Sequence, residues 1–291
     1  MLNAFEILEP ATAGEAAAML ARHGDEAALY AGGTELLIVM KEGLARFPYL
    51  VNLKTAAGLA DIALSASGDW LEIGALSTHR SLERSPLVRR HAPLLAEVEA
   101  HIANPRVRAA GTLGGNLCFA EPHSDPATLL LAWGAQVELL SEAGRRNLPL
   151  ADFVLGMFET ARRPDEVLTR VRLPLGSAPI GGAYEKFSLH ERPTATVAAL
   201  LRLVAGVIQE ASLAVCSVGP VPQRMAQAEA LLRGAAPGEE VFRAAADLAA
   251  RAADAMDDLY GSAEYKRHLV GVMAARALAR AAARAHGQPN A

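Results

Sequence analysis

The sequence predicts an α+β protein with mixed sheets, divided into a larger first domain and a smaller second domain. A chain of 291 residues is long enough for two domains. In the first part of the chain, helical and strand patterns alternate and are separated by glycine turns. In the last part, three strand patterns precede three helical patterns, the order expected of an α+β domain.

The domain boundary is predicted in the segment Gly176–Gly182, which contains Pro179 and has the composition of a linker. We therefore expect a first domain over residues 1–176, with subdomains of about 1–55 and 56–176. The second domain is expected over residues 177–291.

Composition excludes several functional classes. The chain is 52% hydrophobic and 21% charged, as in ordinary soluble globular proteins. A net charge of -4 and a pI near 6.1, with no long stripe of basic residues, argue against nucleic acid as a partner. No apolar run reaches the about 20 residues of a membrane span, and the N-terminus lacks a basic signal region. We expect a cytoplasmic protein.

The two cysteines are too few for a disulfide framework or for a four-thiolate iron-sulfur cluster. Any such cluster must therefore belong to another chain. Cys118 could be a redox thiol, but a small buried apolar residue is the favoured interpretation.

The N-terminal elements follow local signals. Thr12 and Glu15 form a capping-box pattern that opens a helix. Ala27–Tyr30 is a predicted strand, Gly32-Gly33-Thr34 a tight turn and Glu35–Lys41 a helix. Amides at a helix start are unpaired and favour a phosphate, although a plain structural turn is the more frequent meaning of this motif alone.

A second glycine pair follows a proline-marked helix end. Residues 94–102 are predicted helical, and Asn104-Pro105 stops that helix. The run Thr112-Leu113-Gly114-Gly115-Asn116 is then predicted to be a second glycine loop. His79, further upstream, is expected to be a cap or surface residue.

The polar loop after this run contains Glu121, His123 and Asp125. Loops of this kind often carry ligand contacts. A metal site formed by these three side chains is an alternative, but their spacing matches no defined ligand pattern.

The remaining elements alternate in the same way. Hairpins are predicted at residues 62–73 and 136–148, and a further strand at 166–173. The second domain has predicted strands and helices at residues 183–188, 197–204, 211–217, 223–233, 239–256 and 263–286. Its last helix carries Arg276, Arg280 and Arg284 in a row, interpreted as a solvated face rather than a docking surface.

Taken together, the two glycine pairs resemble those of the flavin-binding subunit of the molybdenum hydroxylases, the family of carbon monoxide, xanthine and aldehyde dehydrogenases. The matching segments extend over nearly the whole chain and are Leu29–Leu36, Ile73–Ala75, Asn104–Arg108, Thr112–Asn116, Ala183–Lys186 and Ser262–His268. The resemblance implies a two-part FAD-binding domain of the PCMH or vanillyl-alcohol-oxidase-like type, followed by a smaller domain of three strands and three helices.

The resemblance also implies where FAD binds. The first glycine segment, Ala31–Leu36, and the second glycine segment, Thr112–Asn116, would wrap the pyrophosphate and ribityl chain. Single positions carried over from the family, in addition to these segments, complete the implied set. The cofactor-binding residues are then Leu29, Ala31, Gly32, Gly33, Thr34, Glu35, Leu36, Ile102, Thr112, Leu113, Gly114, Gly115, Asn116, Asp125, Leu168, Tyr184 and Lys186.

The single positions have different implied roles. Ile102 and Leu168 would line the flavin, and Asp125 would accept a bond from a ribityl or ribose hydroxyl. Tyr184 and Lys186 would lie near the isoalloxazine edge. No catalytic acid, base, nucleophile or metal ligand is implied in this chain.

The implied function is electron transfer. FAD would take electrons from an iron-sulfur small subunit and pass them to NAD or a quinone, while a molybdenum-cofactor large subunit hydroxylates the substrate. Two alternatives remain, a stand-alone FAD-dependent oxidase or reductase and a flavin-free binding module. The absence of a His or Cys for covalent flavin attachment weighs against the stand-alone enzyme. The intact glycine pairs weigh against the flavin-free module.

Two departures from the family limit the assignment. Glu121 stands where many relatives have Asp or Ser, and Thr128–Leu130 lacks the pattern common in the carbon monoxide branch. No hydroxylated substrate is therefore assigned. The nicotinamide fingerprint G-x-G-x-x-G is absent, which argues against a Rossmann domain.

Overall fold

The computed structural model describes residues 2–176, 180–189 and 192–286. The described residues form two compact units. The first unit contains those of Met1–Ala120 and Ala135–Pro174, and the second contains those of Glu121–Gly134 and Leu175–Ala291. The middle of the expected linker, residues 177–179, lies outside the described part of the chain.

The strands are short in the first half of the chain and longer in the second. In chain order they are β1 (Glu6–Leu8), β2 (Ala27–Tyr30), β3 (Tyr49–Asn52), β4 (Ile62–Leu64), β5 (Trp70–Gly74), β6 (Gln136–Ser141), β7 (Gly144–Pro149), β8 (Val154–Gly156), β9 (Glu159–Thr160), β10 (Val167–Pro174), β11 (Gly181–Phe187), β12 (Ala195–Val204), β13 (Val207–Cys216) and β14 (Gln223–Arg224).

Most helices are also short. They are α1 (Ala13–His23), α2 (Leu36–Lys41), α3 (His79–Arg84), α4 (Pro86–His91), α5 (Pro93–Glu99), α6 (Pro105–Ala110), α7 (Leu113–Phe119), α8 (Asp125–Trp133), α9 (Leu150–Phe153), α10 (Ala226–Leu232), α11 (Glu239–Ala252) and α12 (Ala263–Ala285). None of the helices in the described residues is both long and apolar enough to cross a membrane.

The first unit contains two main sheets, and parallel and antiparallel pairing is divided between them. A three-stranded sheet with the order β1-β3-β2 is parallel, and a five-stranded sheet with the order β4-β5-β10-β6-β7 is antiparallel. The α+β class is confirmed, but the first domain has no single mixed sheet. Helical crossovers produce parallel strand pairs, and tight hairpins produce antiparallel ones. Here the crossovers lie in the three-stranded sheet and the hairpins in the five-stranded sheet.

One apolar core of the first unit forms where α1 covers the parallel sheet. Thr12 caps this helix by accepting a hydrogen bond from the Glu15 amide at 3.1 Å, as the capping pattern predicts. The Glu15 carboxylate accepts from the Ala11 amide at 2.7 Å instead of from that of Thr12. Ala16 and Leu20 of α1 pack into this apolar core.

The second unit is a four-stranded antiparallel sheet with the order β11-β12-β13-β14, packed against α8, α10 and α12, and α11 packs on α10 and α12. Three strands were expected here. Residues Gln223 and Arg224 were expected to begin a helix, but they pair with Val215 and Ala214 as a short edge strand. The helix begins only at Ala226.

The arginine row of α12 contacts the first strand of this sheet. The Arg280 guanidinium lies 2.6 Å from the Glu185 carboxylate, and that of Arg284 donates to the Gly182 carbonyl oxygen at 2.6 Å. Arg276 and Arg280 are exposed, as predicted for a solvated face, and Arg284 is half-buried. Arg280 and Arg284 also join α12 to β11.

Candidate functional site

The first glycine segment is a backbone turn between β2 and α2 with no room for side chains at its two glycines. Gly33 has a left-handed φ of 70°, and a Cβ there would lie 2.5 Å from the Tyr30 ring. A Cβ on Gly32 would lie 2.1 Å from the carbonyl oxygen of Ala110. Only glycine allows the backbone to pass through this position.

The amides of the first glycine segment have the character of an anion site. Within the described residues, the N–H groups of Gly32, Gly33 and Thr34 donate no hydrogen bond. Successive unpaired amides at a turn before a helix favour a phosphate or another anion. This observation agrees with the phosphate role expected of the segment.

Lys54 adds a positive charge beside this turn, and no sequence pattern indicates it. Its ammonium group donates to the Ala31 carbonyl oxygen at 3.1 Å and lies 3.4 Å from the centroid of the Tyr30 ring. Desolvation lowers the pKa of Lys54 from its usual value. A single lysine after a strand has no local signature, so only the folded chain reveals this position.

The second glycine segment is the start of a helix instead of the expected loop. Thr112 is the N-cap of α7, and its hydroxyl accepts from the Gly115 amide at 3.1 Å. Both glycines of this segment therefore lie in the first helical turn. The Thr112 cap and tertiary contacts around Gly114 explain the change, because they outweigh the low helix propensity of the two glycines.

The first-turn amides of α7 already have protein acceptors. The Leu113 amide donates to the Ser77 carbonyl at 3.0 Å, and the Gly114 amide to the Ala75 carbonyl at 2.8 Å. A Cβ on Gly114 would lie 2.6 Å from that of Ala75. Close packing, more than access to amides, therefore requires glycine at position 114.

The two glycine segments meet in the first unit. The position that a Gly32 Cβ would occupy lies 2.9 Å from the Gly111 Cα atom, and that of a Gly115 Cβ lies 4.0 Å from the Ala31 Cβ. Residues about 80 positions apart thus pack backbone against backbone at this junction, which we call the cradle, and the unpaired amides of the first glycine segment belong to it. The Cβ positions at Gly32 and Gly114 are taken by protein atoms, so glycine here permits close packing, while the unpaired amides suit an anionic group such as a pyrophosphate.

The apolar residues expected at the flavin lie in or near the interior of the first unit. Ile102 and Leu168 are 8% and 3% exposed, and Leu29 packs on the core under the parallel sheet. Glu35 is the N-cap residue of α2, and Leu36 is the first residue of that helix. Their contact with flavin stays a prediction.

Asp125, Tyr184 and Lys186 are brought together in the second unit. The Asp125 carboxylate accepts from the Tyr184 hydroxyl at 2.8 Å and from the Lys186 ammonium at 2.6 Å. Asp125 is 7% exposed and is the first residue of α8, which Ser124 caps. Burial and the negative charge of Asp125 raise the pKa of Tyr184 well above its usual value.

The chemistry of this cluster suits a hydroxyl-rich ligand. A carboxylate, a phenol and an ammonium group supply both acceptors and donors at one point. The separate roles expected of Asp125 at a cofactor hydroxyl and of Tyr184 and Lys186 at the isoalloxazine edge stay predictions. The glycine segments belong to the first unit and this cluster to the second.

Glu121 and His123 have partners within the second unit. The Glu121 carboxylate lies 2.7 Å from the His123 Nδ1 atom and 2.7 Å from the Arg192 guanidinium. Burial raises the pKa of Glu121, but the hydrogen bonds and charges of His123 and Arg192 outweigh it and lower that pKa below its usual value. Glu121 and Asp125 thus hold separate sets of partners, and the described residues contain no cluster of His, Cys, Asp or Glu suited to a metal ion.

Burial disfavours the reactive thiolate form of both cysteines. Burial raises the pKa of Cys118 to about 11, although the charge of Arg162 opposes the shift. Burial likewise raises the pKa of Cys216 to about 12, and its thiol donates to the Pro122 carbonyl. These pKa values fit the interpretation of Cys118 as a packing residue rather than a redox thiol.

Comparison with protein families accounts for most of the chain. Residues 3–176 match the family described as "FAD binding domain in molybdopterin dehydrogenase". Residues 186–281 match "CO dehydrogenase flavoprotein C-terminal domain".

Relatives of known function match over their full length. The carbon monoxide dehydrogenase medium chain of Hydrogenophaga pseudoflava is 35% identical, over 96% of this chain and 98% of the relative. The nicotine 6-hydroxylase medium subunit of Paenarthrobacter nicotinovorans is 33% identical, over 97% and 99%.

Solved structures have the same fold. The carbon monoxide dehydrogenase of Hydrogenophaga pseudoflava that lacks the Mo-pyranopterin moiety superposes with a TM-score of 0.94 at 36% identity, covering 98% of this chain and 99% of that one. Quinoline 2-oxidoreductase from Pseudomonas putida 86 gives a TM-score of 0.92 at 29% identity, over 98% and 99% of the two chains. The chain therefore belongs to the family of FAD-binding medium subunits of the molybdenum hydroxylases, and its cofactor is FAD.

Proposed function

We propose that this chain is the electron-transfer flavoprotein subunit of a molybdenum hydroxylase-type dehydrogenase. Electrons would come from an iron-sulfur partner chain and leave to NAD or a quinone. The observation that carries the proposal is the run of unpaired amides at Gly32, Gly33 and Thr34, where the two glycine segments meet. Relatives named as carbon monoxide, caffeine and xanthine dehydrogenase subunits support it.

The residues of the first unit would hold the anionic part of FAD. The three unpaired amides of the first glycine segment would bind pyrophosphate oxygens, and the positive charge of Lys54 would attract the negative pyrophosphate. The second glycine segment would shape the cradle by close packing, since the Leu113 and Gly114 amides are paired within the protein. Ile102 and Leu168 would exclude water from the ring system.

The polar cluster of the second unit would bind hydroxyl groups of the cofactor. Asp125 accepts hydrogen bonds, while Lys186 and Tyr184 keep the carboxylate oriented. When bound, FAD supplies the redox chemistry, and the protein sets its position and environment. No side chain of this subunit then has to act as acid, base or nucleophile.

The partners are inferred from the relatives, which are named as a medium chain and a medium subunit. The electron donor would be an iron-sulfur small subunit, since the two cysteines of this chain do not suffice for a four-thiolate cluster. Substrate hydroxylation would belong to a molybdenum-cofactor large subunit. We place the assembled enzyme in the cytoplasm.

Reconstitution with FAD tests the cofactor site. The purified chain, titrated with FAD, should quench flavin fluorescence with a saturable, one-to-one stoichiometry and gain thermal stability. Absence of both effects would refute the proposal.

The redox role needs a second measurement. Gentle isolation should recover two further chains, one of them rich in clustered cysteines. Anaerobic reduction of the complex by its substrate, followed by NAD or a quinone, should show which acceptor restores the oxidised flavin spectrum. Isolation as a single chain that reduces its own substrate would favour the stand-alone oxidase or reductase.

A further inference from the structure

We infer that the buried pair of His79 and Glu99 positions the second glycine segment and thereby sets how tightly the first unit binds flavin. The inference rests on the proposed function for its link to flavin, whereas the positioning itself concerns only the protein. Both are positioning residues, since they act on the site through other residues.

The pair lies in the interior of the first unit. The His79 Nδ1 atom, at the start of α3, is 2.6 Å from a carboxylate oxygen of Glu99, at the end of α5. His79 is 3% exposed and Glu99 is fully buried, so the expectation of a cap or surface histidine is wrong. Burying such a pair is costly, and specifying one local arrangement is the best-attested benefit of keeping it.

The histidine contacts the second glycine segment through Gly111. The His79 amide donates to the Gly111 carbonyl oxygen at 3.1 Å. A Cβ on Gly111 would lie 3.1 Å from the Cδ2 atom of the His79 ring and 3.4 Å from its Nε2 atom. The His79 ring therefore packs closely against Gly111. Gly32 of the first glycine segment also packs against Gly111.

The residues before His79 extend this support along the second segment. Thr78 and Thr112 form an antiparallel bridge, and the Leu113 amide donates to the Ser77 carbonyl oxygen at 3.0 Å. The next amide along the segment, that of Gly114, donates to the Ala75 carbonyl oxygen. Residues 75–79 thus form a backing strip for residues 111–114.

The pair anchors the end of this backing strip. Glu99 holds the His79 side chain, and the His79 backbone and ring hold Gly111, so loss of the carboxylate charge should loosen the strip at its helical end. Because Gly111 also contacts Gly32, the loosening should reach the place where the two glycine segments meet. Flavin affinity should fall accordingly.

Hydrogen exchange in the flavin-free protein tests the positioning. In Glu99→Gln, exchange of the Leu113 and Gly114 amides should become about tenfold faster than in the wild type, as expected when a buried charged hydrogen bond is weakened. The matched control is Glu166→Gln. Glu166 is 2% exposed, lies in the same unit and bonds Arg146 instead of a glycine segment.

The control separates local loosening from general loss of stability. If Glu166→Gln speeds exchange at Leu113 and Gly114 as much as Glu99→Gln does, the effect is global and the inference is wrong. Unchanged exchange at those amides in Glu99→Gln also refutes it.

If Glu99→Gln does not fold, His79→Asn decides the question. Asparagine retains a donor near the Nδ1 position for Glu99 but removes the ring behind Gly111. Faster exchange at Leu113 and Gly114 supports the inference, and unchanged exchange refutes it.

Flavin titration of the same proteins tests the link to affinity. The Kd for FAD should rise about tenfold in Glu99→Gln and stay within about twofold of wild type in Glu166→Gln. Faster exchange with an unchanged Kd overturns the inference. Failure of the wild-type chain to bind FAD would instead overturn the proposed function, and the exchange experiment would still decide the positioning.

Discussion

Replacing Gly32 by alanine tests whether the backbone contact between the two glycine segments creates the cofactor cradle. The new Cβ would lie 2.1 Å from the Ala110 carbonyl oxygen, 2.8 Å from its carbonyl carbon and 2.9 Å from the Gly111 Cα atom. The closest ordinary C···O contacts are about 3.3 Å, so one segment must move by about 1 Å. All three neighbouring atoms are backbone, so no side-chain rotation relieves the contact.

The expected magnitude follows from this overlap. Overpacking of this kind costs about 1–3 kcal/mol, which corresponds to about 5- to 150-fold in an equilibrium constant. The displaced segment carries the unpaired amides of Gly33 and Thr34, so much of the effect should fall on FAD binding. We expect the Kd for FAD in Gly32→Ala to rise about 10- to 100-fold.

The assay combines fluorescence titration with FAD and urea denaturation of the flavin-free protein. Gly14→Ala is the matched control, because its Cβ would meet nothing closer than the Thr12 hydroxyl at 3.8 Å. Alanine inside α1 should raise stability by up to about 1 kcal/mol and leave the Kd unchanged. A folded Gly32→Ala protein with wild-type affinity would show that the contact does not shape the site.

Three further outcomes are expected. Gly115→Val places a Cβ 2.8 Å from the hydroxyl of the Thr112 cap, so we expect stability to fall by about 1 kcal/mol and FAD fluorescence titration to show weaker binding; full affinity would contradict the assignment. Asp125→Asn should lower the free energy of unfolding in urea by about 2 kcal/mol, because two donors lose a charged acceptor, and an unchanged value would refute this. Since burial raises both thiol pKa values, iodoacetamide at about pH 8 should leave Cys118 and Cys216 unmodified in the native protein by mass spectrometry, whereas fast native alkylation would contradict it.

Elements with local signals were predictable from the sequence. Thr12 caps α1, and the hairpin of β4 and β5 turns at Gly68, which has a φ of 78°. Both features depend on residues within a few positions of each other. The shift of the Glu15 bond by one residue to Ala11 lies within the uncertainty of such local patterns.

The physical reason for each glycine pair was only half predictable. A pair of glycines signals close backbone approach, but the sequence does not say whether a ligand or another part of the chain approaches. At Gly114 the approaching group is Ala75, and at Gly32 it is Ala110. Such neighbours are fixed by tertiary structure, so the helix start at Leu113 was predicted as a loop.

Long-range ionic contacts were not predictable either. Arg280 reads as part of a solvated helical row, yet it pairs with Glu185, which is 95 residues away. Lys54 has no local pattern that separates it from any surface lysine. In contrast, Asp125, Tyr184 and Lys186 were carried over from the family by position, and the fold brings them into contact.

The path of the chain has a consequence for its synthesis. The polypeptide leaves the first unit after Ala120, returns after Gly134 and leaves again after Pro174. Helix α8 therefore emerges from the ribosome long before β12 and β13, the strands on which it packs.

Until those strands arrive, Leu129–Leu131 have no sheet to cover them, and each leucine left in water forgoes about 1.5–3 kcal/mol. A fragment that ends at residue 176 would carry this exposed helix permanently. A protein divided at the expected linker would therefore carry α8 on one fragment and its partner strands β12 and β13 on the other.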